Sequence, residues 1–144
     1  MNHHEFINQL DEAKIVAAVA TAESKTSGEI RVYVTHHQIT DALARARLRF
    51  TKLGMEKTRQ RNAVLIYLAP RAQQFAVVGD IGVHEKCGDD FWREVSAAME
   101  KLLRNGQFTE AVLAGVEKVG AVLAAQFPRL PGDTNELSDG IARD

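Results

Sequence analysis

Residues 63–68, Ala-Val-Leu-Ile-Tyr-Leu, are apolar without a break. The run lacks the alternation of a strand with one wet face, and it is shorter than a buried helix. It predicts a central strand covered on both faces. A strand covered on both faces needs a packing layer above and another below. That requirement makes the expected fold an α/β domain, a three-layer α/β/α sandwich around a small mixed sheet.

The flanking segments fit this frame. In Glu29 to Thr35, Ile30, Val32 and Val34 point one way while Arg31, Tyr33 and Thr35 point the other, which predicts a strand. A helix is expected before it, over residues 10–25, where Ile15, Val16, Val19 and Ala22 form a stripe. Another is expected over 41–53, with Leu43, Ala46, Phe50 and Leu53 on one face and Gly54 as its C-cap. The helix between the two strands makes them parallel, with a right-handed crossover. Phe75 to Val78 follows residue 68 after a short turn, Pro70 to Gln73, so the third strand pairs antiparallel with the second. Beyond Asp80 a short helical turn is expected at 83–86, a longer helix from Asp89 to Asn105-Gly106, and a last helix over 109–126 ended by Phe127-Pro128. Residues 1–128 read as one domain, and 129–144 as an extended, partly mobile tail.

Composition excludes several classes of function. The 144 residues are 45% hydrophobic and 26% charged, with a formal net charge of -1, so the chain as a whole has no electrostatic pull toward nucleic acid. No stretch approaches the roughly 18 apolar residues of a membrane span. The first residues lack a signal peptide's basic and apolar regions, and a cytoplasmic location is expected. The one cysteine, Cys87, cannot form an internal disulfide, and nothing around it marks an activated thiol. His3 and His4 read as part of a frayed terminus.

The expected topology brings three distant segments to the edge where the two parallel strands begin: Thr26-Ser27-Gly28-Glu29, Arg59-Gln60-Arg61-Asn62 and Gly79-Asp80-Ile81-Gly82. Asp80 and Glu29 are the candidate catalytic and metal-binding carboxylates, suited to Ca²⁺ or Mg²⁺. Ser27, Gly28, Arg61, Asn62, Gly79 and Gly82 are candidate ligand-binding residues, Arg61 as an anion holder and the glycines as points of close backbone approach. A plainer reading makes Gly79-Asp80 a turn and Ser27-Gly28 the end of the first helix. His36-His37 marks the opposite edge, but adjacent histidines diverge and need further ligands to hold a metal. Asp89-Asp90 reads better as a helix start than as a metal pair, and His84 as a surface residue beside Glu85. The basic run Arg45, Arg47, Arg49, Lys52, Lys57, Arg59, Arg61 is opposed only by Glu56 within 45–61. It reads as a solvated face without a nucleic-acid stacking motif, although Arg59 and Arg61 suit steering of an anion toward Asp80.

Three stretches together resemble the TPM-domain family. They are Thr26-Ser27-Gly28-Glu29-Ile30-Arg31-Val32, Arg61-Asn62-Ala63-Val64-Leu65-Ile66-Tyr67, and Phe75-Ala76-Val77-Val78-Gly79-Asp80-Ile81-Gly82. Phe91-Trp92 and Gly106-Gln107-Phe108 fit it too. The family includes thylakoid lumen proteins linked to photosystem II repair and many bacterial proteins. The resemblance implies an α/β/α sandwich and a phosphatase activity, with Gly28, Glu29, Asn62, Gly79, Asp80 and Gly82 as the matching site positions. Ala63 stands where the family commonly has glycine, and 53–56 falls in a region where the family varies. Family members often carry a signal peptide, a membrane helix or a glycine-rich tail, and none is seen in this sequence.

Two functions follow as expectations. One is a metal-assisted phosphomonoesterase, with Asp80 and Glu29 holding a divalent ion and Arg61 the phosphate. It lacks an evident nucleophile with a base beside it. The other is a non-catalytic accessory domain that binds a cation, or an unidentified protein partner's acidic or phosphate-bearing group, at the same edge.

Overall fold

The computed structural model describes residues 10–131 and 140–144. His3 and His4 lie outside them, as do residues 132–139, half of the expected tail. Four helices and four strands follow one another as α1 (Glu12–Glu23), β1 (Glu29–Val34), α2 (Ala42–Lys52), β2 (Ala63–Ala69), β3 (Gln74–Gly79), α3 (Ile81–Arg104), α4 (Phe108–Gln126) and β4 (Ala142–Arg143). The sheet order is β3-β2-β1-β4. β1 and β2 run parallel from the pair Glu29–Ala63 to Val34–Leu68, and β2 and β3 run antiparallel from Val64–Gly79 to Ala69–Gln74.

Every residue of β2 is buried, as its unbroken apolar run requires. Val64, Ile66 and Leu68 join Ile30, Val32 and Val34 beneath α1, α3 and α4. Ala63, Leu65, Tyr67 and Ala69 face the other way, with Tyr33, toward Ala42, Ala46 and Phe50 of α2. Burying a Val, Leu or Ile side chain contributes about 1.5–3 kcal/mol each, so β2 feeds both cores and pins the layers to one another.

The structure bears out one expectation and refines another. The short helical turn and the longer helix expected after Asp80 are both present: α3 is two helices that meet at a kink at Gly88, where φ 73 and ψ -179 leave the helical region, and the first already begins at Ile81. Gly88 adopts that conformation at little cost, which lets the chain bend between the two. The tail is also not merely extended: Tyr33 pairs with Ala142 and Val34 with Arg143, which makes β4 a fourth strand parallel to β1. Two residues carry too little pattern for a sequence to announce them as a strand.

Candidate functional site

The parallel strands begin where the topology places the Asp80 edge. Asp80 N–H donates to the Ala63 carbonyl at 2.9 Å, and Ala63 pairs with Glu29 across the sheet. Thr58 to Arg61 forms a turn, closed by Arg61 N–H to the Thr58 carbonyl at 3.2 Å. Arg61 itself is left-handed, with φ 53. That conformation costs a side-chain-bearing residue about 1–2 kcal/mol, so something must hold it.

Two contacts do so. Gly82 N–H donates to the Arg61 carbonyl at 2.9 Å. The Arg61 guanidinium meets Asp80 in a two-pronged pair, Nε to Oδ2 at 2.6 Å and Nη2 to Oδ1 at 2.8 Å. Asp80 Oδ1 also accepts from Ile81 N–H at 2.8 Å, so the carboxylate caps α3, where a negative charge suits the helix dipole. Three N–H groups therefore converge on its two oxygens. The Asp80 side chain is 6% exposed and that of Arg61 49%, so the guanidinium covers the carboxylate and turns its other side to solvent.

The glycines face protein. A Cβ on Gly82 would lie 2.6 Å from the Gln60 and Arg61 carbonyl oxygens, and one on Gly79 would strike the Trp92 ring. On Gly28 it would crowd Leu123 and the Asn62 carbonyl at 3.0–3.1 Å. Close approach is what these positions require, between α3, α4 and the β2 entry. Asn62 Nδ2 donates to Ser27 Oγ at 3.2 Å, so Ser27 is paired with an amide donor rather than with a base. Ser27 does not cap α1, whose C-cap is Ser24. Glu29 is 1% exposed, inside the sheet.

The edge contains a third buried carboxylate, Glu23, whose Oε2 accepts Ile30 N–H at 2.8 Å. Glu23 extends the row Ile15, Val19 at four-residue spacing, and that phase was the available signal of an inward-facing acid. Elsewhere, burial pushes the Cys87 thiol up from its ordinary value, which disfavours the thiolate. His84 is exposed beside Trp92. Asp90 pairs with Arg93 at 3.0 Å on the surface.

The opposite edge, at the carboxyl ends of β1 and β2, is built around Asp144. Its Oδ2 accepts from Thr35 Oγ1 at 2.6 Å and its Oδ1 from His36 N–H at 2.9 Å, with His36 Nδ1 2.5 Å away. His37 Nε2 lies 3.8 Å and Arg49 Nη2 4.0 Å from the same carboxylate. Burial alone would raise the Asp144 carboxyl, but the Thr35 and His36 bonds outweigh it and hold it at about 2. Burial, and then the Asp144 charge, push the Tyr33 phenol up to about 12. Asp144 supplies the third ligand type that His36-His37 lacked, their donor atoms lying within 4.8 Å of one another. It escaped sequence reading because it is far away in the chain. A hollow of about 230 Å³ opens beside it, lined by Thr35, His37, Arg45, Arg49, Lys52 and Tyr67 among others.

Comparison with known proteins agrees with this architecture. BA42 protein from the psychrophilic bacterium Bizionia argentinensis is similar, with 37% identity, a TM-score of 0.86 and 92% of each chain covered. The N-terminal domain of the cg2496 protein from Corynebacterium glutamicum shares the fold at 18% identity and a TM-score of 0.62, covering 81% of this chain and 75% of that one. An N-terminal domain from P. gingivalis does so at 21% identity and a TM-score of 0.61, covering 77% and 72%. No curated protein matches the chain. The family described as TPM domain matches residues 1–122, a span that contains the whole Asp80 edge, and the chain belongs to the TPM-domain family.

Proposed function

We propose that the protein is a binding domain whose Asp80 edge receives an acidic or phosphate-bearing group of a partner through Arg61, without hydrolysing it. The observation that carries this reading is the two-pronged Arg61–Asp80 pair. A guanidinium held by a buried carboxylate loses little freedom when its exposed side meets an anion, and its charge persists at any ordinary pH. The exposed Arg59 beside it adds to the field that an approaching anion meets.

The same pair weighs against a resident Ca²⁺ or Mg²⁺ on Asp80 and Glu29. A guanidinium occupies the face of Asp80 where the ion would sit, so the donor set as folded does not fit one. Among the described residues, the side-chain partner of Ser27 Oγ is the Asn62 amide, a donor that cannot serve as the base of a nucleophile.

The second reading, a metal-assisted phosphomonoesterase, is favoured by the family the chain belongs to. It requires Arg61 to leave Asp80. A phosphate-ester hydrolysis assay with Ca²⁺, Mg²⁺ or Mn²⁺ separates the two. The binding reading expects no turnover above background for wild type or Asp80→Asn. Metal-dependent turnover that disappears in folded Asp80→Asn would overturn it in favour of the esterase.

A further inference from the structure

At the far end of the sheet, β1 and β2 deliver Thr35 and Tyr67 to a hollow whose outer wall is α2. Arg45, Arg49 and Lys52 follow one another at four and three residues, so they share one helix face, and all three line the hollow with His37. Arg49 is held in place: its guanidinium lies 4.7 Å from the centre of the Tyr33 ring, which stacks on Tyr67 at 5.6 Å. Among the described residues, neither Arg45 nor Lys52 has a carboxylate partner. Among the described residues, three cations of α2 thus line a hollow whose one carboxylate side chain is that of Asp144.

That balance decides which ligand fits. His36, His37 and Asp144 bring metal-ligating atoms together, but a divalent cation there would be repelled by three positive charges and attracted by one negative charge. Asp144 shows what the place accepts: its carboxylate is taken up by the Thr35 hydroxyl, the His36 amide and the two imidazoles. An oxyanion in the adjoining hollow would meet Arg45 and Lys52, which Asp144 does not pair, and the solvent side of Arg49, which it contacts only at 4.0 Å.

We propose that this hollow is a binding site for a phosphoryl group, held by Arg45, Arg49, Lys52 and His37 and distinct from the Asp80 edge. About 230 Å³ accommodates the phosphoryl group and the first atoms of whatever carries it. The open ends of parallel strands are where α/β sheets commonly receive such ligands. Asp144 limits affinity by its like charge while it shapes the wall. Its β4 segment lies beyond the residues that the family match covers, so the site as built uses a part of this chain outside that match.

The test is a titration of the 144-residue chain with sodium phosphate, followed by ¹H–¹⁵N NMR against sodium chloride at equal ionic strength. Saturable shifts are expected at Thr35, His37, Arg49 and Lys52. The surface variant Arg45→Ala/Lys52→Ala should weaken binding about tenfold or more, because each loses a charge-assisted contact. Asp144→Asn, which keeps an acceptor for Thr35, should tighten it about tenfold by removing the like charge. A second arm asks whether the phosphoryl group is free or lipid-borne, using vesicles of phosphatidylcholine with and without phosphatidic acid. Shifts with soluble phosphate and no vesicle binding assign a soluble ester. Flotation with phosphatidic acid that is lost in the double variant assigns a headgroup. Shifts confined to the Asp80 edge, the same affinity in the double variant, or no binding of either probe would overturn the proposal.

Discussion

Replacing Gly82 by alanine tests what the Asp80 edge is built for. Were this glycine present to admit a ligand, a methyl group would weaken binding and leave the fold alone. The geometry requires the opposite. The new Cβ would lie 2.6 Å from two backbone carbonyl oxygens, those of Gln60 and Arg61, where ordinary contact begins at 3.4 Å. The shortfall is 3.4 minus 2.6, or about 0.8 Å, and it must be taken up by backbone. Overpacking of this kind costs about 1–3 kcal/mol, and two rigid oxygens put it at the upper end. Displacing the 59–62 turn also breaks the Gly82 N–H to Arg61 bond, about 1 kcal/mol more. Alanine returns about 1 kcal/mol through its better helix propensity in the first turn of α3. The net loss is about 3 kcal/mol. For a domain of this size 1 kcal/mol shifts Tm by about 3 °C, so Gly82→Ala should melt about 9 °C below wild type by circular dichroism. Gly106→Ala is the comparison. Its Cβ would meet nothing within 4 Å, and only the left-handed φ of 75 penalises it, so about 1 kcal/mol is expected. A Gly82→Ala protein within about 2 °C of wild type would refute the close-approach reasoning and restore the glycine as a ligand-facing position.

Gly79→Ala should push the ring of Trp92, the chain's one tryptophan, out of its half-buried seat. A side-chain neighbour gives way more easily than backbone, so the loss is about 1–3 kcal/mol, and the intrinsic fluorescence should move toward that of a solvent-exposed indole; an unchanged emission maximum counts against it. Arg61→Met removes the two-pronged pair and leaves Asp80 as a cap under an open face. A lower urea midpoint, with a smaller difference in 1 M salt, is expected, and no change would mean that the left-handed turn at Arg61 stands without its guanidinium. Cys87 should react with a disulfide reagent more slowly than a free thiol at pH 8, since burial raises its pKa; equal rates would show the thiol to be open. The Asp144 carboxyl sits at about 2 in the folded chain against an ordinary 3.8. Its contribution is therefore complete above about pH 4 and lost as pH falls toward 2, worth about 1 kcal/mol after screening. Amide exchange at Val34 and Thr35 should quicken across that window, and Asp144→Asn should abolish the dependence.

Most of the sheet was legible because its signals are local. The unbroken run of β2 and the alternation of β1 each state which faces are covered, and loop lengths alone settle parallel against antiparallel. β4 was not legible, since Ala142-Arg143 is a strand only because β1 offers an unpaired edge beside it. Gly88 was legible for the opposite reason: a glycine before two aspartates reads as a new helix start, and α3 does break there, at a φ of 73.

At the two ends of the sheet the same limit shows in charge. Asp80, Glu29, Arg61 and Asn62 gather as the topology demands, because each lies within a residue or two of a strand end. What the sequence does not state is pairing. Asp80 read as a free carboxylate with Arg61 as a separate anion holder, but a planar guanidinium within reach of a buried acid closes on it, and the two become one unit with one exposed face. The basic run dissolved by the opposite route. Along the chain Arg45, Arg49 and Lys52 belong to a stretch of seven cations, and only the helix turn selects these three for one side of α2, toward the stacked Tyr33 and Tyr67. Proximity in the fold thus cancels a charge at Asp80 and concentrates charge around Asp144. For that reason the sequence pointed to the amino ends of the strands, whereas the cations that line a hollow lie at the carboxyl ends.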